Sequence, residues 1–386
     1  MGTTPSYGGM KFLARKKYSE ALVNLRTALQ DPLEAKADGT WASSLLLSLF
    51  QSVDGSFDSV PSWRIHTNGA AALAKARGSG KFASGIAPKL FMATRVQFIV
   101  SCMNRLEPVD EFFDIPQIPG LPDGGANNLT RLIIPIPGLR ARAKNLLIKS
   151  KNIESTNQIK ALMGDALATD NKLAHWTEVL PRRWQFYAFP VMAEMEGHWS
   201  KSRFWPGSFQ IYGDERVAAC WNFYRAFRCF LQGIIIRCGC WLSSSYRETA
   251  EYVQATTILQ EMVNGICWSV PYHLGYPEAV EAIKLIPKSQ HSNAASFGMS
   301  GHIKTIGGYL IMYPLFVGSS VITVSKEQRL WMKDRLLTIG QEAGINQATM
   351  LSYARDKVPE GCPCKRTRLG LYRDAPLASE PAFETL

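Results

Sequence analysis

The sequence predicts an all-α fold, a multi-helix domain that carries a proline- and glycine-rich internal loop. Three observations lead there. Apolar residues recur in steps of three and four over long segments, the spacing that puts them on one face of a helix. Start and stop signals bracket those segments. No run alternates polar and apolar residues clearly enough to predict a sheet. With 386 residues, 46% of them hydrophobic, the chain can bury one large core or two smaller ones.

The first elements read as an antiparallel helix pair over residues 18–30 and 40–53, with Asp31, Pro32, Asp38 and Gly39 as the breakers between them. Residues 114–138 then hold Pro116, Pro119, Pro122, Pro135 and Pro137 among Gly120, Gly124, Gly125 and Gly138. No continuous helix survives that composition, so a linker or a long ordered loop is expected there. Further on, Val217, Cys220, Tyr224, Phe227, Leu231, Ile234, Cys238 and Trp241 share one stripe of a long helix. Arg216, Arg225, Arg228 and Arg237 are expected to emerge on its other faces.

Residues 305–325 contain no charged side chain, close to the roughly 20 residues that a membrane span needs. Pro314 and several glycines argue instead for a buried helix, a turn and a second short helix. Ser325 and Gln328 then form a capping-box signature, Met332, Leu336, Ile339 and Ala343 continue an apolar face, and Gly344 ends it. Periodicity fades near residue 356. The expected organisation is one helical domain over 1–355, with the loop at 114–138, and a mobile basic tail over 356–386.

The charge balance, 43 basic against 32 acidic side chains, gives a net +11. Such a surplus suits an acidic partner, but the charges are dispersed rather than gathered, which fits an ordinary solvated surface. Lys365, Arg366 and Arg368 form one small basic cluster in the tail. The opening Met1-Gly2 pattern fits an N-myristoylation signal that is short enough to recur by chance. No secretory pattern opens the sequence, so a reducing compartment is expected for its eight cysteines.

Those cysteines are not spaced for metal. Cys238 and Cys240 point to nearly opposite sides of a helix, and Cys362 and Cys364 have no further ligand near them. No cofactor is called for: the segment ending at Lys81 lacks the phosphate-loop glycine and hydroxyl, and the residues around Ser300 fall one short of a nucleophile elbow. One stretch has the composition of a ligand or active site. Glu194, Glu196, His198 and Asp214 flank the aromatic run from Trp199 to Trp205. The plainer reading is a loop packed on a helical core.

An ordered set of short motifs resembles the regulatory region of fungal binuclear-zinc-cluster transcription factors. It includes Trp63, His66, Gly69 and Leu73, then Phe82, Phe91 and Arg95, then Trp176 with Leu180 and Pro181. Trp205, Pro206 and Gly207 lead on to Trp221, Tyr224 and Arg225, and Gly307, Gly308, Tyr313, Pro314, Gly340 and Gly344 close the match, which spans residues 10–352. The resemblance implies an all-helical regulatory module in a fungal metabolic or secondary-metabolite pathway. Protein partners, a possible small hydrophobic effector and a possible homodimer go with it, in the nucleus or alternatively the cytoplasm. The six-cysteine cluster with which the family reads DNA is not in this sequence, so no sequence-specific DNA binding and no membrane role is expected. The alternative is a cofactor-independent enzyme on the same scaffold, cyclising or isomerising a hydrophobic intermediate with Glu196, His198 and Asp214 as its polar groups.

Overall fold

The computed structural model describes residues 7–55, 59–78, 82, 85–116, 118, 124–191, 202–287, 304–321 and 323–354. Over them the chain is all-α, with one two-stranded antiparallel sheet. Among the described residues, those up to Ser101 with Asp110–Asn127 form one compact unit, and Cys102–Val109 with those from Asn128 onward form another.

The first unit opens with α1 (Tyr7–Gln30) and α2 (Asp38–Asp54), antiparallel as expected. Tyr18 stacks on Phe50 at 4.7 Å, and Arg15 pairs with Asp54 at 3.1 Å. Asp31 ends α1 by accepting from the Leu33 amide at 2.8 Å. Asp38, expected as a breaker, instead opens α2, where a first-turn carboxylate complements the helix dipole. α3 (Ser59–Arg77) and α4 (Ala87–Arg105) follow. The Trp63–Leu73 motif is the α2–α3 seam: Ser44 donates to the His66 carbonyl at 2.9 Å, and Tyr18 bonds the His66 ring at 2.7 Å. Trp41, Phe82, Phe91 and Phe113 close this core, and the Trp41 indole donates to Thr94 at 2.9 Å.

The proline-rich stretch holds no continuous helix, but less of it is loop than expected. Gly124–Ile133 forms α5 and Ile136–Leu146 forms α6. The reason is position: glycines 124 and 125 fall in a first turn, and Pro135 and Pro137 stand at a helix start, where amides have no intrahelical acceptor to lose.

α7 (Ile153–Glu178), α8 (Glu215–Leu242) and α9 (Ala250–Leu274) carry the core of the second unit. α8 is its axis. Seven of the eight stripe residues are buried and Cys220 is half-buried, but Arg225 and Arg228, expected outside, are buried too. Neighbours α7, α9 and α11 enclose α8, so it has no solvent face for them along this length. A missed hairpin precedes it, β1 (Tyr187–Pro190) paired with β2 (Ser208–Ile211) from Tyr187 against Ile211 to Pro190 against Ser208. Four-residue strands are too short to show a period of two convincingly.

After α10 (Pro277–Ile283) come α11 (Thr305–Ser320), α12 (Lys326–Glu342) and α13 (Asn346–Tyr353). Pro314 does not divide α11, contrary to expectation. It is buried in a helix packed by α8, α9 and α12, and that packing outweighs the one backbone bond the ring removes. No described helix is long and apolar enough to cross a membrane. Only half of the capping box forms. Ser325 accepts from the Gln328 amide at 3.1 Å, while the Gln328 side chain turns to Asn264 at 2.8 Å. Gly344, at φ 70°, follows the helix end as the sequence indicates.

Candidate functional site

Two helices of the second unit place polar residues on facing sides. Asn222 and Arg225 are three apart on α8, and Ser269 and His273 are four apart on α9. β2 and the residue after it add Gln210 and Tyr212. All six are buried. The Asn222 amide donates to Ser269 Oγ at 2.9 Å and to His273 Nε2 at 2.8 Å, which leaves the ring proton on Nδ1. Arg225 donates through Nη1 to the Tyr212 hydroxyl at 2.8 Å and to the Gly265 carbonyl at 2.9 Å. Its Nη2 donates to Gln210 Oε1 at 2.7 Å.

No described carboxylate pairs with Arg225. Its charge is spread over carbonyl, amide and hydroxyl oxygens and over the faces of Phe186 at 5.3 Å and Trp221 at 5.5 Å. That cation and the burial around it set the local titration. Burial first, then the charges of Arg225 and Lys304, push His273 down to about 3. Burial raises Tyr212, although Arg225 pulls the other way. At neutral pH, then, His273 is a neutral hydrogen-bonding group rather than a proton carrier.

One turn along α8, Arg228 forms a bidentate pair with Asp170 of α7, at 2.8 Å and 2.7 Å, and donates to the Tyr224 hydroxyl at 2.8 Å. Burial works to lower the Arg228 pKa, but the bond to Asp170 outweighs it and holds the guanidinium charged. Trp176 stands against Trp184, Trp221 and Tyr224, with centroids within 6.1 Å, beside this pair. Burial raises the thiols of Cys229, Cys238 and Cys267 to about 12, which removes them as nucleophiles at neutral pH.

Of the candidate site residues read from the sequence, Asp214 is described; Glu194, Glu196, His198 and Trp199 lie outside the described residues. Asp214 is the N-cap of α8, accepting from the Val217 amide at 2.8 Å. The described part of the aromatic run docks on helices. Trp331 donates to the Ser202 carbonyl at 3.0 Å, Trp268 to the Pro206 carbonyl at 2.9 Å, and Trp205 packs against Trp331 at 5.8 Å. Among the described residues no group of three or more His, Cys, Asp or Glu side chains is placed to hold a metal. Cys362, Cys364, the basic cluster at 365–368 and Ser300 lie outside the described residues. Sequence reasoning missed the six-residue network. Its one local signal was Asn222 and Arg225 standing three apart inside an apolar helix.

The fungal specific transcription factor domain matches residues 5–104, which span α1 to α4. Over 347 residues the chain is 24% identical to transcription factor dbaG of Emericella nidulans, covering 89% of this chain and 77% of that protein. No solved structure matches. These findings agree with the resemblance carried by the ordered motifs, and the chain is transcription-factor-like.

Proposed function

We propose that this transcription-factor-like chain is a helical effector module of a fungal metabolic or secondary-metabolite pathway, working in the nucleus. It acts through protein partners or a small effector, without reading a DNA sequence through its own residues. One observation carries this reading. Asn222 and Arg225 of α8 are bonded by Ser269, His273, Gln210 and Tyr212, and titratable groups around α8 are held far from neutral pH, His273 at about 3 and three thiols at about 12. Such a network specifies one helix arrangement and supplies no general acid or base. A relative named as a transcription factor supports the same assignment.

The test deletes the gene and follows transcripts and metabolites together, with a fluorescent fusion to locate the protein. A fall in a defined set of transcripts with no stalled intermediate, and signal in the nucleus, is the expected result. Unchanged transcripts with an accumulated intermediate that the purified protein converts would replace the regulator with an enzyme.

A further inference from the structure

Three neighbours each take one side of α2 in the first unit. Trp41 donates to Thr94 of α4, Ser44 donates to the His66 carbonyl of α3, and Phe50 stacks on Tyr18 of α1. The side they leave carries Leu46, Leu49 and Val53, which stand 64%, 37% and 40% exposed, with half-buried Ala42 in line before them. From Gly39 to Val53 the helix has no charged side chain. The two acids that bound this stretch are answered within the chain, Asp38 by Arg77 and Asp54 by Arg15.

Ala42, Leu46, Leu49 and Val53 follow one another at steps of four, three and four. Those are successive core positions of a heptad, the spacing with which the side chains of two helices interlock. The order of steps also reads the same from either end. A two-fold axis crossing α2 between Leu46 and Leu49 therefore sets Leu46 on the partner's Leu49, and Ala42 on the partner's Val53, a small side chain against a larger one.

We propose that α2 pairs antiparallel with α2 of a second copy of this chain, across Ala42, Leu46, Leu49 and Val53. Charge favours that occupant. With a net +11, two copies repel one another over most approaches, and a seam without charge brings no like charges into contact. A charged helix from another protein would instead bury its charge against a face that has none to answer it. From residue 42 to residue 53 the seam is about 18 Å long. That is short for a permanent interface, so the pairing follows concentration. Such a dimer neither requires nor excludes a small effector.

Sedimentation equilibrium of the purified full chain over a concentration series reads the pairing. A monomer that becomes a dimer as concentration rises is the expected result. Leu46→Glu and Leu49→Lys should each raise the dissociation constant at least about tenfold, because each buries a charge against the partner's leucine. An equimolar mixture of these two single variants should pair again. One contact then sets opposite charges together, and the other restores leucine on leucine. Leu330→Glu, at an exposed position of α12, should leave the constant unchanged. Far-UV circular dichroism and the thermal midpoint establish that the variants are folded, which the exposure of Leu46 and Leu49 favours. A parent chain that stays monomeric throughout overturns the pairing and leaves the face to a different protein. A dimer that both single variants keep, or a mixture that stays monomeric, overturns it as well. The readout is mass alone, so its failure leaves the transcript test standing, and failure of the transcript test leaves the dimer intact.

Discussion

A β-carbon on Gly265 would lie 2.5 Å from Nε of Arg225. The Gly265 carbonyl accepts from the same guanidinium at 2.9 Å, so the α9 backbone forms one wall of the arginine's cage. Arg225 is held by three further groups and two aromatic faces and has little room to retreat. Gly265→Ala should therefore destabilise the fold by about 2–4 kcal/mol, through overpacking and lost hydrogen bonds. Gly164→Ala on α7 is the contrast, with nothing within 4 Å of the added carbon. It should be neutral or stabilise by up to about 1 kcal/mol. Urea unfolding of the two variants beside the parent checks both signs, and equal effects would refute the cage.

The Arg228–Asp170 pair should show the asymmetry of buried charges. Its side chains are 9% and 6% exposed, so solvent screens it little. Asp170→Ala leaves an unanswered guanidinium and should cost about 3–5 kcal/mol. The double change Asp170→Leu with Arg228→Met removes both charges and should cost much less. Equal destabilisation in the single and double variants would contradict this account.

His273 makes the stability depend on pH. Its folded pKa, about 3, is below the unfolded value of 6.5, so between these limits the unfolded chain binds the extra proton. Stability is full above about 6.5 and falls as pH drops, by about 1.4 kcal/mol per unit towards 3. Burial lowers His66 as well, which adds in the same direction. Comparing unfolding free energies at pH 7.5 and pH 5, His273→Gln should have the shallower loss, by up to about 2 kcal/mol. A parallel loss would mean His273 titrates normally in the folded chain.

Asp214 should behave as a helix cap. Asp214→Ala removes the acceptor of the Val217 amide and should lower stability by about 1 kcal/mol, whereas Asp214→Asn keeps a cap and should lose less. Neither should change the structure of any pathway product. A product that changes in both variants while stability holds would restore Asp214 to chemistry.

Gly307→Ala should be the most damaging of these substitutions. The added carbon would fall 1.7 Å from the His273 carbonyl oxygen, a backbone atom that cannot swing aside. Loss of soluble folded protein on expression is expected, while Gly39→Ala, with open space around it, should express normally.

Much of the secondary structure was legible because its signals are local. The stripe from Val217 to Trp241, the Ser325 cap and the Gly344 stop depend on residues within one or two turns, and so does the all-α class. Tertiary structure decided what lies on the other faces. Arg225 and Arg228 look like surface arginines in the sequence, since nothing near them shows that α7, α9 and α11 enclose α8 on every side. Pro314 reads as a breaker until surrounding helices hold α11 together, and β1 and β2 exist only by pairing with each other. The Asn222–Arg225–Ser269–His273 network belongs wholly to this second kind. Its bonds across the two helices join residues 47 and 51 apart, and hydrogen bonds over that separation depend on where the helices pack rather than on the periodicity of either one.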